Sequence, residues 1–285
     1  MKENPKLSVV IPTYNEEREI GLCLNSLNKQ SYKNFEVLVV DDGSTDATRK
    51  IVKMHRGVKL IKGEHKGPGF SRNKGAKEAK GDLLIFVDAD MTFDKDYLKN
   101  LVFPWKKNKR LFGTTHDLEV ADNTKNVWSR CWGRIRVDGK KSQDARIFRA
   151  ITKKRFIELG GFNPKYGYAD DQTFWMDHGL KPVFAENTTC YHKNPERLKD
   201  VYKQSRWIGA SLNYKIFRMP FWRYLALLLL VIVSPIVVPI LAVKKSFSLK
   251  DFGIFLPWMV LFMAARYFGT IAGVIRKVYL KKNYR

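Results

Sequence analysis

Acidic side chains follow several short apolar runs in the first half of the chain. Asp88-Ala89-Asp90 comes directly after the apolar run at 83–87, and Asp41-Asp42 follows the run at 35–40. Carboxylates one residue apart at the end of a buried strand can share one hard cation, Mg²⁺ or Mn²⁺, which keeps positions open for diphosphate oxygens. Such a cation neutralises charge on a nucleotide leaving group. We therefore predict a divalent metal site at Asp88 and Asp90; a solvated acidic turn is the alternative.

A second acidic pair, Asp170-Asp171, opens an apparent helix that continues through Trp175. The positive end of a helix dipole favours anions, so a simple capping pair is one reading. Transfer of a group to a hydroxyl needs one carboxylate within reach of the acceptor proton, so a general base is the other. We take Asp171 and Asp170 as the candidate catalytic residues.

The elements that must position these residues alternate along the chain. Apolar runs at 7–11, 35–40, 58–61 and 83–87 are separated by helical stretches at 16–30, 45–55, 70–80 and 96–108. This pattern predicts βαβ units and an α/β fold with a mostly parallel central sheet. In open α/β sheets, ligands bind beyond the carboxyl ends of the strands. Polar turns at 12–16, 41–44 and 88–90 should therefore meet in one crevice, although any single turn could be a helix cap.

Two common nucleotide-binding motifs are absent from the sequence: no GxGxxG follows the first run and no GxxxxGK[ST] occurs. Gly67-Pro68-Gly69 follows the third run instead. This short cluster could be an ordinary turn, but Lys66 and Arg72 beside it would lie near the mouth of the crevice. There they could contact phosphate.

Taken together, the ordered motifs make the sequence resemble glycosyltransferase family 2. The matching segments are Ser8–Glu16, Val39–Asp46, Gly69–Gly75, Phe86–Asp90 and Gly160–Phe162, which in order and spacing cover most of residues 7–192. The resemblance implies a GT-A nucleotide-sugar-binding fold and an inverting, metal-dependent transfer from a UDP- or GDP-linked sugar.

The resemblance also implies residue roles. Pro12, Tyr14 and Glu16 would line the base and ribose pocket together with Asp41 and Asp42, and Asp41 would hydrogen-bond the base. Asp88 would touch the ribose or the metal, and Asp90 would bind the metal. Asp171 would be the base, with Asp170 where the family usually has Glu. His192 resembles a position that can approach the metal or the diphosphate; a structural histidine is the alternative.

Processive polymer synthases of this family carry Gln-x-x-Arg-Trp. Arg206 and Trp207 are present here and are candidate contacts for the acceptor or the diphosphate, but Lys203 stands at the Gln position and Gln204 comes one residue late. We therefore expect single transfer and keep a processive polysaccharide synthase as the alternative. The layout is similar to enzymes that glycosylate polyprenyl phosphate or lipid-linked glycans.

The composition changes near Phe221. Residues 224–243 contain no charged side chain and residues 252–275 contain only Arg266, so each stretch is long enough to span a bilayer, which takes about 20 residues. The first stretch is interrupted by Ser234, Pro235 and Pro239, so a re-entrant hairpin is the alternative to a spanning helix. We expect Arg266 either to hold the phosphate of a lipid acceptor or to extend toward the headgroups.

Residues 199–220 mix aromatic and basic side chains, including Arg206 and Trp207, at roughly helical spacing. We interpret the segment as an amphipathic helix in the headgroup layer; an ordinary helix packed on the domain is the alternative. The predicted division is a GT-A catalytic domain at 1–198, this interfacial segment, and a membrane domain with two hydrophobic helices at 221–285.

The chain carries 52 Lys and Arg against 28 Asp and Glu, a formal net charge of +24. Such a charge attracts polyanions, including an anionic membrane surface. A nucleic-acid binder would leave the acidic strand ends unexplained, so we expect no nucleic acid. Three scattered cysteines and an N-terminus without a signal-like core favour a cytoplasmic catalytic domain on a multi-pass cell-membrane protein. An inactive scaffold is disfavoured by the intact Asp41, Asp90 and Asp171.

Overall fold

The computed structural model describes residues 4–139, 145–212, 225, 229–249 and 256–280. These residues form two compact units. The first comprises 1–120, 135–164 and 170–192, and the second comprises 121–134, 165–169 and 193–285.

The first unit is built on one nine-stranded sheet. Its strands are β1 (Leu7–Thr13), β2 (Phe35–Asp41), β3 (Val58–Lys62), β4 (Leu83–Phe86), β5 (Met91–Phe93), β6 (Gly113–Ala121), β7 (Ile135–Asp138), β8 (Ala150–Thr152) and β9 (Val183–His192). Their order is β3-β2-β1-β4-β8-β6-β9-β5, and β7 pairs with β6.

The expectation of a mostly parallel sheet holds for the first four strands and is wrong beyond them. The pairs β1–β2, β2–β3 and β1–β4 are parallel, whereas β4–β8, β6–β8, β6–β7 and β5–β9 are antiparallel. The parallel pairs are joined by helical crossovers, as such pairs require. The later strands are separated by short helices and loops without such crossovers, so the sheet is mixed.

Alternating side chains of the parallel strands fill two hydrophobic cores. Val9 and Val39 point to a core that also contains residues of α1 (Ile20–Asn28), α2 (Thr48–Met54) and α4 (Tyr97–Val102). Val10 and Val40 point to the core shared with α3 (Pro68–Glu78), α7 (Lys153–Glu158) and α8 (Thr173–His178). Successive side chains of a strand point to opposite faces of the sheet, and helices cover both faces, so neighbouring residues enter different cores. The first unit is therefore a three-layer α/β structure.

One predicted helix of this unit is divided. The stretch at 96–108 forms α4 and then α5 (Pro104–Lys107), with the boundary at Phe103. Pro104 has no N–H to donate to the preceding turn, and its ring crowds that turn, so the first helix ends there.

In the second unit, α6 (Val127–Trp132), α9 (Leu198–Leu212), α10 (Ser234–Leu249) and α11 (Leu256–Leu280) surround a small apolar core. Among the described residues, one helix is long and apolar enough to cross a bilayer: residues 256–275 of α11. Its 20 residues correspond to about 30 Å of helix.

The predicted span at 224–243 is not confirmed as one helix. Within its described part, helical residues at 229–232 are separated by a turn at Val233 from α10, which starts at Ser234. Pro235 lies in the first turn of α10, where its missing N–H costs nothing, while Pro239 lies inside the helix. The predicted break at Ser234-Pro235 thus coincides with a helix boundary.

The helix α9 packs backbone to backbone against α11. A methyl group added at Gly209 would collide with the Thr270 carbonyl, and one added at Gly273 would collide with the Arg206 carbonyl. A Cβ at Gly269 would lie 2.6 Å from the Tyr202 carbonyl oxygen. Glycines let helices approach this closely. The part of the predicted interfacial segment that is described, 199–212, is therefore a packed helix; 213–220 lies outside the described residues.

Candidate functional site

The carboxyl ends of the parallel strands bring the predicted turns to one edge of the sheet. Thr13 at the end of β1 is in register with Asp41 at the end of β2, and Val10 of β1 is in register with Phe86 at the end of β4. Asp88 and Asp90 follow β4 directly. The predicted convergence of these three turns is therefore present in the first unit.

Asp41 and Asp42 organise the loops beside β2. Asp41 is buried, accepts the Ser44 backbone N–H at 3.2 Å and lies 3.6 Å from Arg49 Nε. Asp42 accepts the backbone N–H groups of Lys66 and Gly67 at 3.2 and 2.8 Å. These bonds fix the 65–67 loop against the end of β2.

An aromatic surface lies next to this loop. Tyr14 is half exposed, and its ring centroid lies 4.8 Å from that of His65, whose Nδ1 is 2.7 Å from the Asp42 carbonyl oxygen. Pro12, near the end of β1, is buried. Lys66 is exposed and pairs with Glu64 at 2.6 Å. An exposed ring beside a buried carboxylate suits stacking on a planar base with a hydrogen bond to its edge.

Arg72 and Arg149 surround Asp88 with positive charge. Arg72 Nη2 lies 2.6 Å from Asp88 Oδ1, and Arg149 Nη1 lies 3.2 Å from Asp88 Oδ2. Burial would raise the pKa of Asp88, but the two guanidinium groups outweigh burial and hold this pKa well below its usual range. Asp88 is therefore ionised at neutral pH.

Arg72 also holds the first residue of the second acidic pair. Its Nη1 lies 2.6 Å from Asp170 Oδ1, and Asp170 is buried. The pair lies near the end of a 3₁₀ stretch (Pro164–Gln172), and α8 begins at Thr173, so the helix starts two residues after Asp171 and not at the pair as predicted. Arg72 thus joins the end of β4 to the segment that carries Asp170 and Asp171.

Asp171 differs from Asp170 in its surroundings. It is partly exposed, and burial raises its pKa to about 7, with Arg72 opposing and Asp170 adding to the shift. The pKa of Asp170 is also raised by burial, although Arg72 opposes that shift. A carboxylate with a pKa near neutrality and a partly open position suits a general base better than one locked in an ion pair.

Asp90 contacts His192, at the end of β9. His192 Nε2 lies 2.9 Å from Asp90 Oδ2, and His192 Nδ1 lies 2.7 Å from Glu119 Oε1. Burial would lower the pKa of His192, but the Asp90 and Glu119 carboxylates outweigh burial and raise it to about 9. Burial and the nearby charges of Asp90 and Asp88 raise the pKa of Glu16 to about 8, which places Glu16 at the same acidic centre.

The side chains at this centre fit a divalent cation. Asp90 Oδ2 and His192 Nε2 lie 2.9 Å apart, so a cation bound here would find an oxygen and a nitrogen ligand side by side. Asp88 is ionised two residues away. Carboxylates suit both Mg²⁺ and Mn²⁺, and the imidazole favours Mn²⁺ over Mg²⁺.

A second cluster with metal-ligand chemistry, His116, Glu119 and Cys190, is buried in the sheet. Glu119 lies at Nε2 of the His116 ring at 3.0 Å, and the Cys190 sulfur lies at Nδ1 at 3.3 Å. The carboxylate and the sulfur therefore lie next to different nitrogens of the ring, and the three side chains already contact one another. We interpret this cluster as a hydrogen-bonded part of the sheet.

The sequence patterns missed several residues that complete the centre. Arg149 precedes β8, and Glu119, His116 and Arg136 lie on β6 and β7, without a spacing that would single them out. Asn73 lies in the Gly69–Gly75 segment, without a spacing that would assign it a role. Its carboxamide donates to the Phe162 carbonyl at 2.7 Å and accepts the Phe162 N–H at 2.9 Å, which ties α3 to the Gly160-Gly161 loop.

The predicted acceptor or diphosphate residues lie in the second unit. Arg206 and Trp207 are on α9, where the ring centroid of Trp207 lies 5.1 Å from that of Tyr168. Arg266 is on α11, and its guanidinium carbon lies 4.7 Å from the Trp132 ring centroid. Arg266 therefore has an aromatic partner inside the protein, in addition to the phosphate and headgroup alternatives.

A sequence model described as glycosyl transferase family 2 matches residues 8–163. The chain belongs to glycosyl transferase family 2. The matched residues contain the ends of β1, β2 and β4, together with Arg72, Glu119 and Arg149, whereas the Asp170-Asp171 pair and His192 follow the matched range.

Relatives of this family-2 chain are found among bacterial glycosyltransferases. It is 26% identical over 228 residues to the GalNAc(5)-diNAcBac-PP-undecaprenol beta-1,3-glucosyltransferase of Campylobacter jejuni, covering 75% of this chain and 71% of the relative. It is 44% identical over 102 residues to the poly(ribitol-phosphate) beta-N-acetylglucosaminyltransferase TarS of Staphylococcus aureus, covering 33% of this chain and 18% of TarS. Several curated relatives are thus matched over less than a third of their own length.

The solved structures agree on the fold. The mannosyltransferase PcManGT of Pyrobaculum calidifontis, in complex with GDP-Man and Mn²⁺, superposes with a TM-score of 0.58 at 19% identity, covering 98% of this chain and 89% of that chain. The 1–349 portion of TarS, in complex with UDP-GlcNAc, gives a TM-score of 0.50 at 21% identity, covering 98% and 93%. The fold is that of the GT-A glycosyltransferases, with a mixed sheet.

Proposed function

We propose that this chain transfers a sugar from a UDP- or GDP-linked donor to a membrane-associated acceptor, with inversion at the anomeric carbon. The observation that carries the proposal is the meeting, at one edge of the sheet, of an Asp90–His192 pair, an ionised Asp88 and a partly exposed Asp171 with a pKa of about 7. Family membership and the donor complexes of PcManGT and TarS support it.

The nucleotide would lie on the ends of β1 and β2. Tyr14 offers an exposed ring beside the buried Asp41, whose carboxylate can accept from the base. Pro12, Glu16 and Asp42 shape the surrounding loops. Lys66 and Arg72 lie on the side where phosphates would follow, although both Nη atoms of Arg72 already contact carboxylates.

Asp90 and His192 would hold Mg²⁺ or Mn²⁺, with Asp88 beside them. The cation, when bound, would neutralise negative charge on the departing nucleoside diphosphate. The presence of Mn²⁺ in the PcManGT complex supports this assignment. Asp171 would accept the proton of the acceptor hydroxyl, and Arg72 would keep Asp170, and hence the neighbouring base, in place.

We place the acceptor at a membrane for three reasons. Residues 256–275 are long and apolar enough to cross a bilayer, the formal net charge of +24 favours an anionic membrane surface, and the C. jejuni relative is named for a lipid-linked glycan. In this proposal the chain is a multi-pass cell-membrane protein with its catalytic unit in the cytoplasm. Polyprenyl phosphate or a lipid-linked glycan is the acceptor, and Arg206, Trp207 and Arg266 are the candidate contacts.

Purified protein in detergent should be screened against a panel of UDP- and GDP-sugars, with metal-dependent donor hydrolysis as the readout. At least one donor should be hydrolysed with Mn²⁺ or Mg²⁺ and not with EDTA. Asp90→Ala should lose this hydrolysis, whereas Asp94→Ala, an exposed acid on the same segment, should keep it. Hydrolysis that survives EDTA and Asp90→Ala would reject the metal assignment, and no hydrolysis of any donor would reject the function.

Product length from one lipid-linked acceptor separates single transfer from the processive alternative. We expect one added sugar, because Lys203 replaces the Gln of the processive motif.

A further inference from the structure

Glu119 is a buried carboxylate that neither the family motifs nor the proposed roles use. It lies near the end of β6, and its side chain is 6% exposed. His192 Nδ1 and Arg136 Nε approach its Oε1 at 2.7 and 3.0 Å. His116 Nε2 and Arg149 Nη2 approach its Oε2 at 3.0 and 3.8 Å. A buried charge is tolerated when it is surrounded by donors in this way.

The contact between Glu119 and His192 determines which nitrogen of the His192 ring carries the hydrogen. A carboxylate can only accept, so Nδ1 must carry a hydrogen that it donates to Glu119. When the imidazole is neutral, its lone pair is then on Nε2, the atom that lies 2.9 Å from Asp90. Without Glu119, the ring would be free to place its hydrogen on either nitrogen and to rotate about its χ2 torsion.

We propose that Glu119 is a positioning residue that orients His192 for the divalent cation. It makes the Nε2 lone pair of His192 available next to Asp90, and it touches neither the cation nor the substrate. This inference rests on the proposed metal site. Carboxylates that accept the second N–H of a metal-binding histidine commonly have this role, and their loss typically weakens metal binding by about 10- to 100-fold.

A purely structural role would be to neutralise the partly buried Arg136 and the buried Arg149. The positioning role and the structural role predict different effects of substitutions within the same network of ion pairs. His116 contacts Glu119 through the other carboxylate oxygen and is buried on the same strand, whereas His192 contacts both Glu119 and Asp90. His116→Gln therefore perturbs the network while it leaves the Glu119–His192–Asp90 contacts intact, and it is the matched control for Glu119→Gln.

The experiment is an Mn²⁺ titration of the donor-free protein followed by electron paramagnetic resonance. Glu119→Gln should weaken Mn²⁺ binding by 10- to 100-fold, and His116→Gln should change it by less than about threefold. Unchanged binding in Glu119→Gln, or equal losses in both variants, overturns the positioning role. Absence of Mn²⁺ binding in the wild type overturns the proposed metal site and this inference together.

A second measurement does not depend on metal. ¹⁵N-histidine spectra of the metal-free protein, with the His192 signals assigned from His192→Gln, should show hydrogen on Nδ1 in the wild type at high pH and a mixture of tautomers in Glu119→Gln. Should Glu119→Gln fail to fold, Glu119→Asp takes its place, because its shorter side chain withdraws the carboxylate from Nδ1. A wild-type His192 with its hydrogen on Nε2 contradicts the proposal.

Discussion

Replacement of Gly69 tests how the Asp170-Asp171 pair is held. A side chain at this position would be opposed by steric contact with its neighbours and not by backbone strain. Gly69 lies in α3 without a positive φ, so alanine fits the backbone. An added Cβ would lie 2.7 Å from Asp170 Oδ2 and 3.2 Å from Asp170 Cβ. Ordinary contact begins at 3.4 Å, so the carboxylate would have to move by about 0.7 Å.

That movement would stretch the 2.6 Å ion pair between Asp170 and Arg72. Overpacking of this kind costs about 1–3 kcal/mol, whereas alanine in place of glycine in a helix gains about 1 kcal/mol. The expected net loss of stability for Gly69→Ala is therefore about 0–2 kcal/mol. Misplacement of a catalytic group by about 1 Å can cost about 100-fold in rate, so we expect sugar transfer to fall by about 10- to 100-fold.

The control is Gly21→Ala in α1, where the added Cβ would meet Ile51 Cγ2 at an ordinary 3.5 Å. Thermal melts and initial transfer rates of both variants should be measured with the same donor. Gly21→Ala should be as active as the wild type and equally or more stable. A Gly69→Ala protein with wild-type transfer and the stability of Gly21→Ala would refute the argument that the Asp170 position matters.

Four further predictions concern the base, its pH dependence, the metal and the helix pair. Asp171→Asn should reduce transfer by about 10²- to 10⁴-fold with donor affinity kept, and Asp170→Asn should do less; a reversed ranking would move the base to Asp170. Because burial raises the pKa of Asp171 to about 7 and a base must be deprotonated, wild-type kcat/KM should rise with pH up to about 7 and then level off; a flat profile from pH 5 to 8 would contradict this. Asp90→Ala should abolish Mn²⁺-dependent donor binding, measured by calorimetry, in a protein with an unchanged melting curve. Gly273→Leu should lower the melting temperature in detergent because α9 leaves no room for a side chain, whereas the neighbouring, partly exposed Ala272→Leu should have little effect; equal melting temperatures would count against the close helix contact.

The first half of the fold was predictable because its strands follow the simplest rule. The parallel strands β1, β2 and β4 are covered on both faces, so each appears in the sequence as a largely apolar run with a polar turn after it. Those turns carry Asp41, Asp88 and Asp90, and the prediction that they meet required only that parallel strands end at one edge. The helix limits were less certain because residues 16–19 form turns before α1 begins at Ile20.

The strands that follow β4 were not predicted from the sequence, and the reason is physical. Strand β6 contains His116, Asp117 and Glu119 in place of an apolar run, and its inward polar groups are satisfied by partners from β7, β9 and the segment before β8. A buried strand with this composition is stable only through contacts distant in sequence, and one sequence does not reveal them.

The second unit shows a related ambiguity. An amphipathic pattern predicts that a helix has an apolar partner, but it does not distinguish a bilayer from another helix. The signal that could have done so is the pair Gly269 and Gly273, four residues apart in α11, which face Tyr202 and Arg206 of α9. Small residues at this spacing indicate close helix contact.

Ion pairs connect Asp170, the neighbour of the proposed base Asp171, to the proposed metal ligands of the first unit without interruption. Successive contacts of 2.6–3.8 Å join side chains from α3, the end of β4, β6, β9 and the segments before β8 and α8: Asp170, Arg72, Asp88, Arg149, Glu119, His192 and Asp90. Because acids and cations alternate, each internal member pairs with two neighbours, and removal of one takes a partner from both of them. The centre therefore depends on residues that touch neither donor nor acceptor as well as on the motif residues. Interactions within such a network are expected to be non-additive, since neighbouring members share partners.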